Sequence, residues 1–434
     1  MKNIVSSLLF LTAIIVCSCT GGKRTSNVST SVTDLGENNS TTINSSNSLP
    51  EHPIINVYLE NSGSMNGYVD GGKTMFQQDV YNYLSDVDIS GIPSEMNMFF
   101  INSKIIPQRD FQKSNTISDF INRLNPNSFR VAGGNTATTD MADIFKLILE
   151  NTDNDIVSIF ISDCIFSPGS VSSPEAYLTN QQIGIKENFA KYCVDHPNFG
   201  VMVYQLSSNF NGRYYDYMNK PHQYNGERPY YIWVMGNIYY LMYLKDRIPN
   251  KKFQGSGVQN YWFASNFQLE EVAYSVLPAP RLGSFDKVSK SDIKNMKPDE
   301  NGEFMFTIAA NLRLLELVLG DDYLMDTGNY AQLINKELSD EIKIKIDRNT
   351  VAKSPATHNI SLKIVKGIQR EEIKVILQCL PPEWGFEMTD DNDTQLTELN
   401  CNKTYGLKYL LNGVQQGLTA RGSGYYMYMI VNLK

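Results

Sequence analysis
Two regimes of apolar patterning divide the chain. From Pro53 to residue 250, solid apolar runs alternate with segments whose apolar residues recur every three or four positions. The runs are "IINVYL" (54–59), "MNMFFI" (96–101), "IVSIFIS" (156–162), "FGVMVYQL" (199–206) and "PYYIWVMG" (229–236). A continuous run of that length is what a strand covered on both faces requires. Between them, segment 74–87 places Phe76, Val80, Leu84 and Val87 on one helical stripe. Segment 138–150 does the same with Met141, Ile144, Phe145 and Ile148, and 116–124, 175–196 and 237–248 complete the predicted helices. Strands separated by helices predict an α/β unit, an open and mostly parallel sheet with helices on both faces.

From residue 251 the period changes to two. "EFMFTIAA", "DEIKIKID", "NISLKIV", "EIKVILQCL" and "GYYMYMIVNL" alternate apolar and polar positions between turn-rich pieces. Residues 251–434 therefore read as an all-β, sandwich-like region of one or two domains. "TYGLKYLLNGV" (404–414) fits a short helix or an edge strand equally well. In "GERPYYIWVMGN" (226–237), Arg228, Tyr230, Tyr231 and Trp233 could form an aromatic contact face, but aromatics at alternating positions read rather as core and cross-strand packing.

The first 52 residues belong to neither regime. Lys2 precedes an apolar run, "IVSSLLFLTAIIV" (4–16), of signal-peptide length and too short to span a membrane. It ends in "VCSC", which resembles a bacterial lipobox: residues 1–19 read as a lipoprotein signal with Cys19 as the lipidated residue. Residues 20–52 are dominated by Ser, Thr and Asn and hold no aromatic residue. Such a segment cannot bury enough apolar surface to offset its ordering entropy, and it reads as a disordered tether. The expected anchor is a lipid alone, on the outer membrane and facing the periplasm or the cell surface.

Composition narrows the functional classes. The net charge of −8 argues against a nucleic-acid partner, which needs a basic face. Cys164, Cys193, Cys379 and Cys401 show neither CxxC spacing nor paired histidines, so no zinc site is expected. Cys379 and Cys401 lie close enough in sequence to form a disulfide, and buried free thiols fit as well. Neither H-E-x-x-H nor G-x-S-x-G occurs, and no base is predicted beside Ser62 or Ser64. An enzyme is not the expected reading. The "TDDNDT" loop around Asp390, Asp391 and Asp393 reads as a solvated turn.

In an open parallel sheet, ligands bind beyond the carboxyl ends of the strands. After the first strand comes "ENSGSM", with Glu60, Ser62 and Ser64. After the 156–162 strand comes Asp163, and "GGNTATTD" (133–140) supplies Thr136 ahead of a helix. Together these pieces resemble the von Willebrand factor type A (vWA) domain and its metal-ion-dependent adhesion site. That family carries D-x-S-x-S after its first strand, a threonine in a glycine-rich loop and an aspartate after a later strand. The resemblance spans residues 53–250. It implies Mg2+, Ca2+ or Mn2+ held by Glu60, Ser62, Ser64, Thr136 and Asp163, with a carboxylate from a protein partner completing the shell. Hard oxygen donors suit such cations. Glu60 stands where the family has Asp, and its extra methylene moves the carboxylate by roughly 1.5 Å. That shift brings Glu60 into direct contact, favours Ca2+, or abolishes binding.

Two other readings stay open. Residues 67–74, "GYVDGGKT", satisfy the phosphate-loop pattern G-x-x-x-x-G-K-[ST], although "ENSGSMN" separates the strand from the first glycine. A nucleotide-binding protein or a metal-dependent phosphoester hydrolase is the enzymatic alternative. A lipoprotein scaffold whose vWA-like domain has lost its metal is the third.

Overall fold
The computed structural model describes residues 51–434 apart from 109–115, 138–139, 168, 170, 172, 219, 267–271, 365–370, 395–396, 398–399 and 423. The expected signal segment, Cys19 and the expected tether up to residue 50 lie outside the described residues. The first sheet and its helices follow the order β1 (Ile54–Glu60), α1 (Asn66–Val69), α2 (Met75–Ile89), β2 (Glu95–Ile101), β3 (Ile105–Pro107), α3 (Ile117–Asn122), α4 (Pro126–Ala132), α5 (Met141–Leu149), β4 (Ile156–Ser162), α6 (Pro174–Tyr192), β5 (Phe199–Tyr215), β6 (Pro221–Asn237), α7 (Ile238–Arg247) and β7 (Asn260–Ser265). The strand order is β3-β2-β1-β4-β6-β5-β7. β2, β1 and β4 are parallel neighbours. β5 points the same way from one place further out, so four of the seven strands share a direction, and β3, β6 and β7 run opposite.

Both faces of this sheet are covered, as the solid apolar runs require. On one face Tyr230 packs edge-on to Phe76 of α2, and Tyr204 meets Tyr83 of the same helix. Residues of opposite parity go the other way: Trp233 meets Phe145 of α5, and Phe199 meets Phe189 of α6. Tyr230, Tyr231 and Trp233 are fully buried. Thr74 starts α2 with a reciprocal capping box to Gln77, and this satisfies donors the first turn leaves open.

The hairpin of β5 and β6 is longer than the apolar runs that predict it. The two strands stay paired from Phe199↔Asn237 to Tyr215↔Pro221. Their outer half alternates buried and exposed residues, because it leaves the sheet and packs on one side only. Phe210 stacks edge-on to Tyr68 of α1.

The remaining elements are β8 (Tyr274–Leu282), β9 (Ser284–Lys287), β10 (Asp292–Lys297), β11 (Phe304–Ala310), α8 (Arg313–Leu319), α9 (Asp321–Met325), β12 (Tyr330–Ile334), β13 (Glu337–Leu338), β14 (Ile342–Arg348), β15 (His358–Ile364), β16 (Glu372–Gln378), α10 (Glu383–Glu387), β17 (Thr389–Asp390), β18 (Thr404–Tyr405), α11 (Leu407–Thr419) and β19 (Tyr425–Leu433). They form a six-stranded sheet, β13-β12-β16-β19-β10-β9, and a four-stranded sheet, β14-β15-β11-β8. Within these two sheets all pairings are antiparallel except β10 with β19, and β17 and β18 form a separate parallel pair. Tyr274 of β8 ties the two sheets together, its hydroxyl donating to the Ile430 carbonyl at 2.7 Å.

Two expectations change here. The α/β sheet does not stop at residue 250: β7 pairs with β5 from Gly200↔Ser265 to Gln205↔Asn260. An unpaired β5 edge would expose a row of backbone donors and acceptors, and β7 covers it. Nor is 251–434 all β. The undecided segment 404–414 becomes β18 followed by α11, whose Leu407, Leu410, Leu411, Val414 and Leu418 are buried. α11 lies against α6 of the first layer, with Gln182 donating to Gln416 at 3.3 Å. No helix among the described residues is long and apolar enough to cross a membrane.

Candidate functional site
At the carboxyl end of β1 the chain runs into Asn61, Ser62, Gly63 and Ser64. Ser62 Oγ and Ser64 Oγ lie 3.0 Å apart, and both residues are buried. The loop carrying Thr136 is drawn to the same place. Gly133 and Gly134 both have φ of +84°, a conformation open to glycine and strained for other residues. Asn102, just past β2, donates through Nδ2 to the Gly133 carbonyl at 2.9 Å and to Asn61 Oδ1 at 2.9 Å. A Cβ on Gly134 would lie 2.1 Å from Asn102 Oδ1, so the loop sits directly on that amide. The Gly63 N–H then donates to the Thr136 carbonyl at 2.9 Å. Residues 62–64 and 136 thus form one rim.

Asp163 arrives from the end of the neighbouring strand, β4. Its side chain is buried, and Oδ1 accepts the Ile165 N–H at 3.2 Å. The chain beyond it is not helical, so Asp163 is no helix cap. Burial pushes its carboxyl up to about 6. Ser64, the Ile165 N–H and the Arg228 charge favour the ionised form, yet no donor closes on Oδ2 at hydrogen-bond geometry. A buried carboxylate oxygen of this kind, beside two serine hydroxyls, fits a hard divalent cation. The structure therefore brings together Ser62, Ser64, Thr136 and Asp163.

Glu60 goes elsewhere. It is fully buried, and its Oε2 accepts a short hydrogen bond from Ser162 Oγ. The two residues end adjacent parallel strands at matching positions. Ser162 in turn takes the Cys164 N–H at 2.7 Å. The longer side chain engages the floor below the rim, and Glu60 does not line the cleft.

The rim opens on a cleft of about 600 Å³ lined by Ser62, Ser64, Asn66, Arg130, Thr136 and Tyr215, among others. Among the described residues, Arg130 is the charged side chain of its wall. Tyr215 is delivered by the end of the β5–β6 hairpin. That arm needs glycine where it crosses α1, because a Cβ on Gly212 would lie 2.8 Å from Gly67 Cα. Among the described residues, no three His, Cys, Asp or Glu side chains gather as a metal site. The candidate donors are hydroxyls with one carboxylate.

Beneath the rim lies a buried cation that the sequence gives no reason to place there. Arg228, 1% exposed, donates through Nη1 to the Cys401 carbonyl at 2.8 Å and covers the Tyr214 ring at 4.6 Å. Tyr214 donates a short hydrogen bond to the buried Asp393 carboxylate, which also accepts the Tyr217 N–H at 3.0 Å. Asp393 thus fastens the hairpin end to the C-terminal part and is not a solvated turn residue.

Two residues of the phosphate-loop pattern have other roles. Gly67 lies in α1, where a Cβ would clash with Phe210 at 2.4 Å. Thr74 Oγ1 is occupied by the α2 cap and the Tyr68 carbonyl. No disulfide joins the four cysteines of the described body, so Cys379 and Cys401 are not bridged. The chain matches no protein-family model, no curated protein and no solved structure.

Proposed function
We propose that the α/β unit is a vWA-like binding module of a bacterial lipoprotein. It captures a protein or envelope partner through a divalent cation at the rim of Ser62, Ser64, Thr136 and Asp163. The observation that carries this reading is the meeting of three hydroxyl-bearing residues with a buried carboxylate whose Oδ2 has no hydrogen-bond partner. When bound, Mg2+, Mn2+ or Ca2+ supplies an electrophilic centre for an anionic oxygen. The serines and Thr136 contribute neutral oxygens, and Asp163 contributes the charge. Arg130 on the cleft wall favours an acidic partner, one that offers a carboxylate. The chain's acidic balance and this donor set favour a protein partner over nucleic acid, and binding over turnover. Cleavage before Cys19, its acylation and the 20–52 tether would hold the module off the outer membrane, facing the periplasm or the cell surface.

Isothermal titration of the full chain with MgCl2, MnCl2 and CaCl2 tests the core of this reading. One saturable site per chain, lost in Ser62→Ala while the thermal unfolding temperature without metal is retained, is the expected result. Absence of saturable binding for all three ions overturns it.

A further inference from the structure
Asn66 carries an oxygen that the fold leaves without a partner. Its Nδ2 donates to the Gly63 carbonyl at 3.0 Å. That bond fixes the amide's orientation, because the flipped amide would set one carbonyl oxygen against another. Oδ1 is therefore held on the side away from Gly63, where it is buried and has no hydrogen-bond partner. Asn66 lines the same cleft as Ser62, Ser64 and Thr136. Asp163 Oδ2, beneath the same serines, is buried and unpartnered too. Leaving two acceptors buried and unpaired is costly, and a cation held between them would satisfy both. Arg228 lies near enough for its charge to favour the ionised Asp163, but its Nη1 is committed to the Cys401 carbonyl and no hydrogen bond joins it to Oδ2.

We propose that Asn66 Oδ1 is a cation ligand and that it makes the site prefer Ca2+ to Mg2+. The inference rests on the divalent-cation reading above. With Asn66 the donors are Ser62 Oγ, Ser64 Oγ, Thr136 Oγ1, Asp163 Oδ2 and Asn66 Oδ1, of which only Asp163 is charged. Ca2+ takes about six to eight oxygens in flexible arrangements and accepts amide carbonyls readily. Mg2+ demands a near-ideal octahedron and keeps several of its waters. A rim offering many neutral protein oxygens, one of them an amide, suits the larger ion. Glu60, turned to Ser162, leaves the amide as the nearest replacement for the missing second acid.

The test is titration of the full chain and its Asn66→Ala, Asn66→Asp and Ser62→Ala variants with CaCl2 and with MgCl2, alongside thermal unfolding without metal. The wild type is expected to bind Ca2+ more tightly than Mg2+. Asn66→Ala is expected to weaken Ca2+ binding by about 10-fold or more, at least the scale seen when only the hydrogen-bonded supports of metal ligands are removed, and Mg2+ binding by less. Asn66→Asp keeps the oxygen, adds charge and gives up the bond to Gly63, so it is expected to tighten Ca2+ binding. If Ser62→Ala abolishes Ca2+ binding while Asn66→Ala leaves it unchanged, Asn66 is no ligand and the cation reading survives. If Asn66→Asp and Asn66→Ala weaken binding alike and both lower the unfolding temperature, the amide serves only to hold Gly63. If the wild type binds neither ion, both readings fall together.

Discussion

Gly417→Ala is expected to destabilise the whole protein, although the same change on an exposed helix would stabilise it. α11 approaches α6 along a seam set by Gly413 and Gly417. A Cβ on Gly417 would lie 2.5 Å from Phe189 Cβ and 2.8 Å from the Lys186 carbonyl oxygen. Neither atom belongs to the free end of a side chain, so no rotamer change relieves the clash. Ordinary carbon contacts are about 3.5–4.0 Å, so the helices must part by roughly 1 Å at this point. Replacing a helix glycine by alanine gains ~0.5–1 kcal/mol from the backbone. Overpacking a closed contact costs ~1–3 kcal/mol. Parting the helices also loosens the packing of Leu410, Leu411, Val414 and Leu418, all of them buried. Each methylene returned to water there costs ~0.8 kcal/mol. The net expectation is a loss of about 2 kcal/mol. Urea unfolding followed by far-ultraviolet circular dichroism and by tryptophan fluorescence measures it. Trp233, Trp262 and Trp384 report on β6, β7 and α10, so both signals are expected to shift together. Stability equal to or above the wild type refutes the close seam. A shift confined to an early partial transition refutes the claim that α11 folds as part of the first layer.

Four further outcomes follow from individual side chains. Burial holds the Asp393 carboxyl up at about 6 against an ordinary 3.8, so the folded state binds this proton more readily than the unfolded state. Its contribution to stability rises as pH falls from 7 through about 6 toward 3.8 and is flat below. The gap corresponds to at most ~3 kcal/mol; Asp393→Asn is expected to lose that slope in urea midpoints measured from pH 7 to pH 4, and an unchanged slope counts against it. Thr74→Ala removes the α2 cap and is expected to cost about 1 kcal/mol without altering Ca2+ or Mg2+ titrations. ATP is expected to leave the unfolding temperature of the wild type unmoved, and a rise that Lys73→Ala abolishes would restore the phosphate loop. A thiol reagent is expected to spare buried Cys164 and Cys379 in the native state and to titrate all four body cysteines after unfolding; two thiols instead of four would reveal a disulfide.

The elements legible in the sequence were those whose burial is uniform. Segment 156–162 is apolar but for Ser158 and Ser162 and is β4 residue for residue, because a central strand contacts helices on both sides. Phe76, Val80, Leu84 and Val87 lie on the buried face of α2 for the equivalent helical reason. The outer half of the β5–β6 hairpin was missed because it is a two-stranded arm packed on one side, and its polar residues dilute the signal. β7 was missed because a six-residue edge strand after a glycine-rich loop has no pattern of its own; its place is decided by the open edge of β5. α11 was ambiguous in the segment 404–414; glycines at 413 and 417 weaken a helix in isolation, whereas their lack of a Cβ is what lets this one dock. Intrinsic propensity and tertiary packing gave opposite signs, and packing prevailed.

The candidate site shows the same division more sharply. Ser62, Ser64, Thr136 and Asp163 were readable because strand ends in a parallel sheet are where side chains converge, and each follows a strand or opens a helix. The residues that make them converge were not. Asn61 and Asn102 are ordinary loop asparagines in sequence, yet their paired amides tie the ends of β1 and β2 to the Gly133 carbonyl and so place Thr136. Arg228 sits in a run that reads as core, where a cation is costly unless its surroundings are negative. Its burial makes sense only once Asp163 and the Cys401 carbonyl are seen around it. Glu60 reads as a rim acid from its position, and one methylene takes it to Ser162 instead. A sequence motif specifies which donors reach a strand end. Which of them face outward depends on a network of amides and buried charges drawn from residues tens to hundreds of positions away. The decisive experiments on this rim are therefore those on Asn66 and Ser62, whose oxygens are held by that network and not by the motif alone.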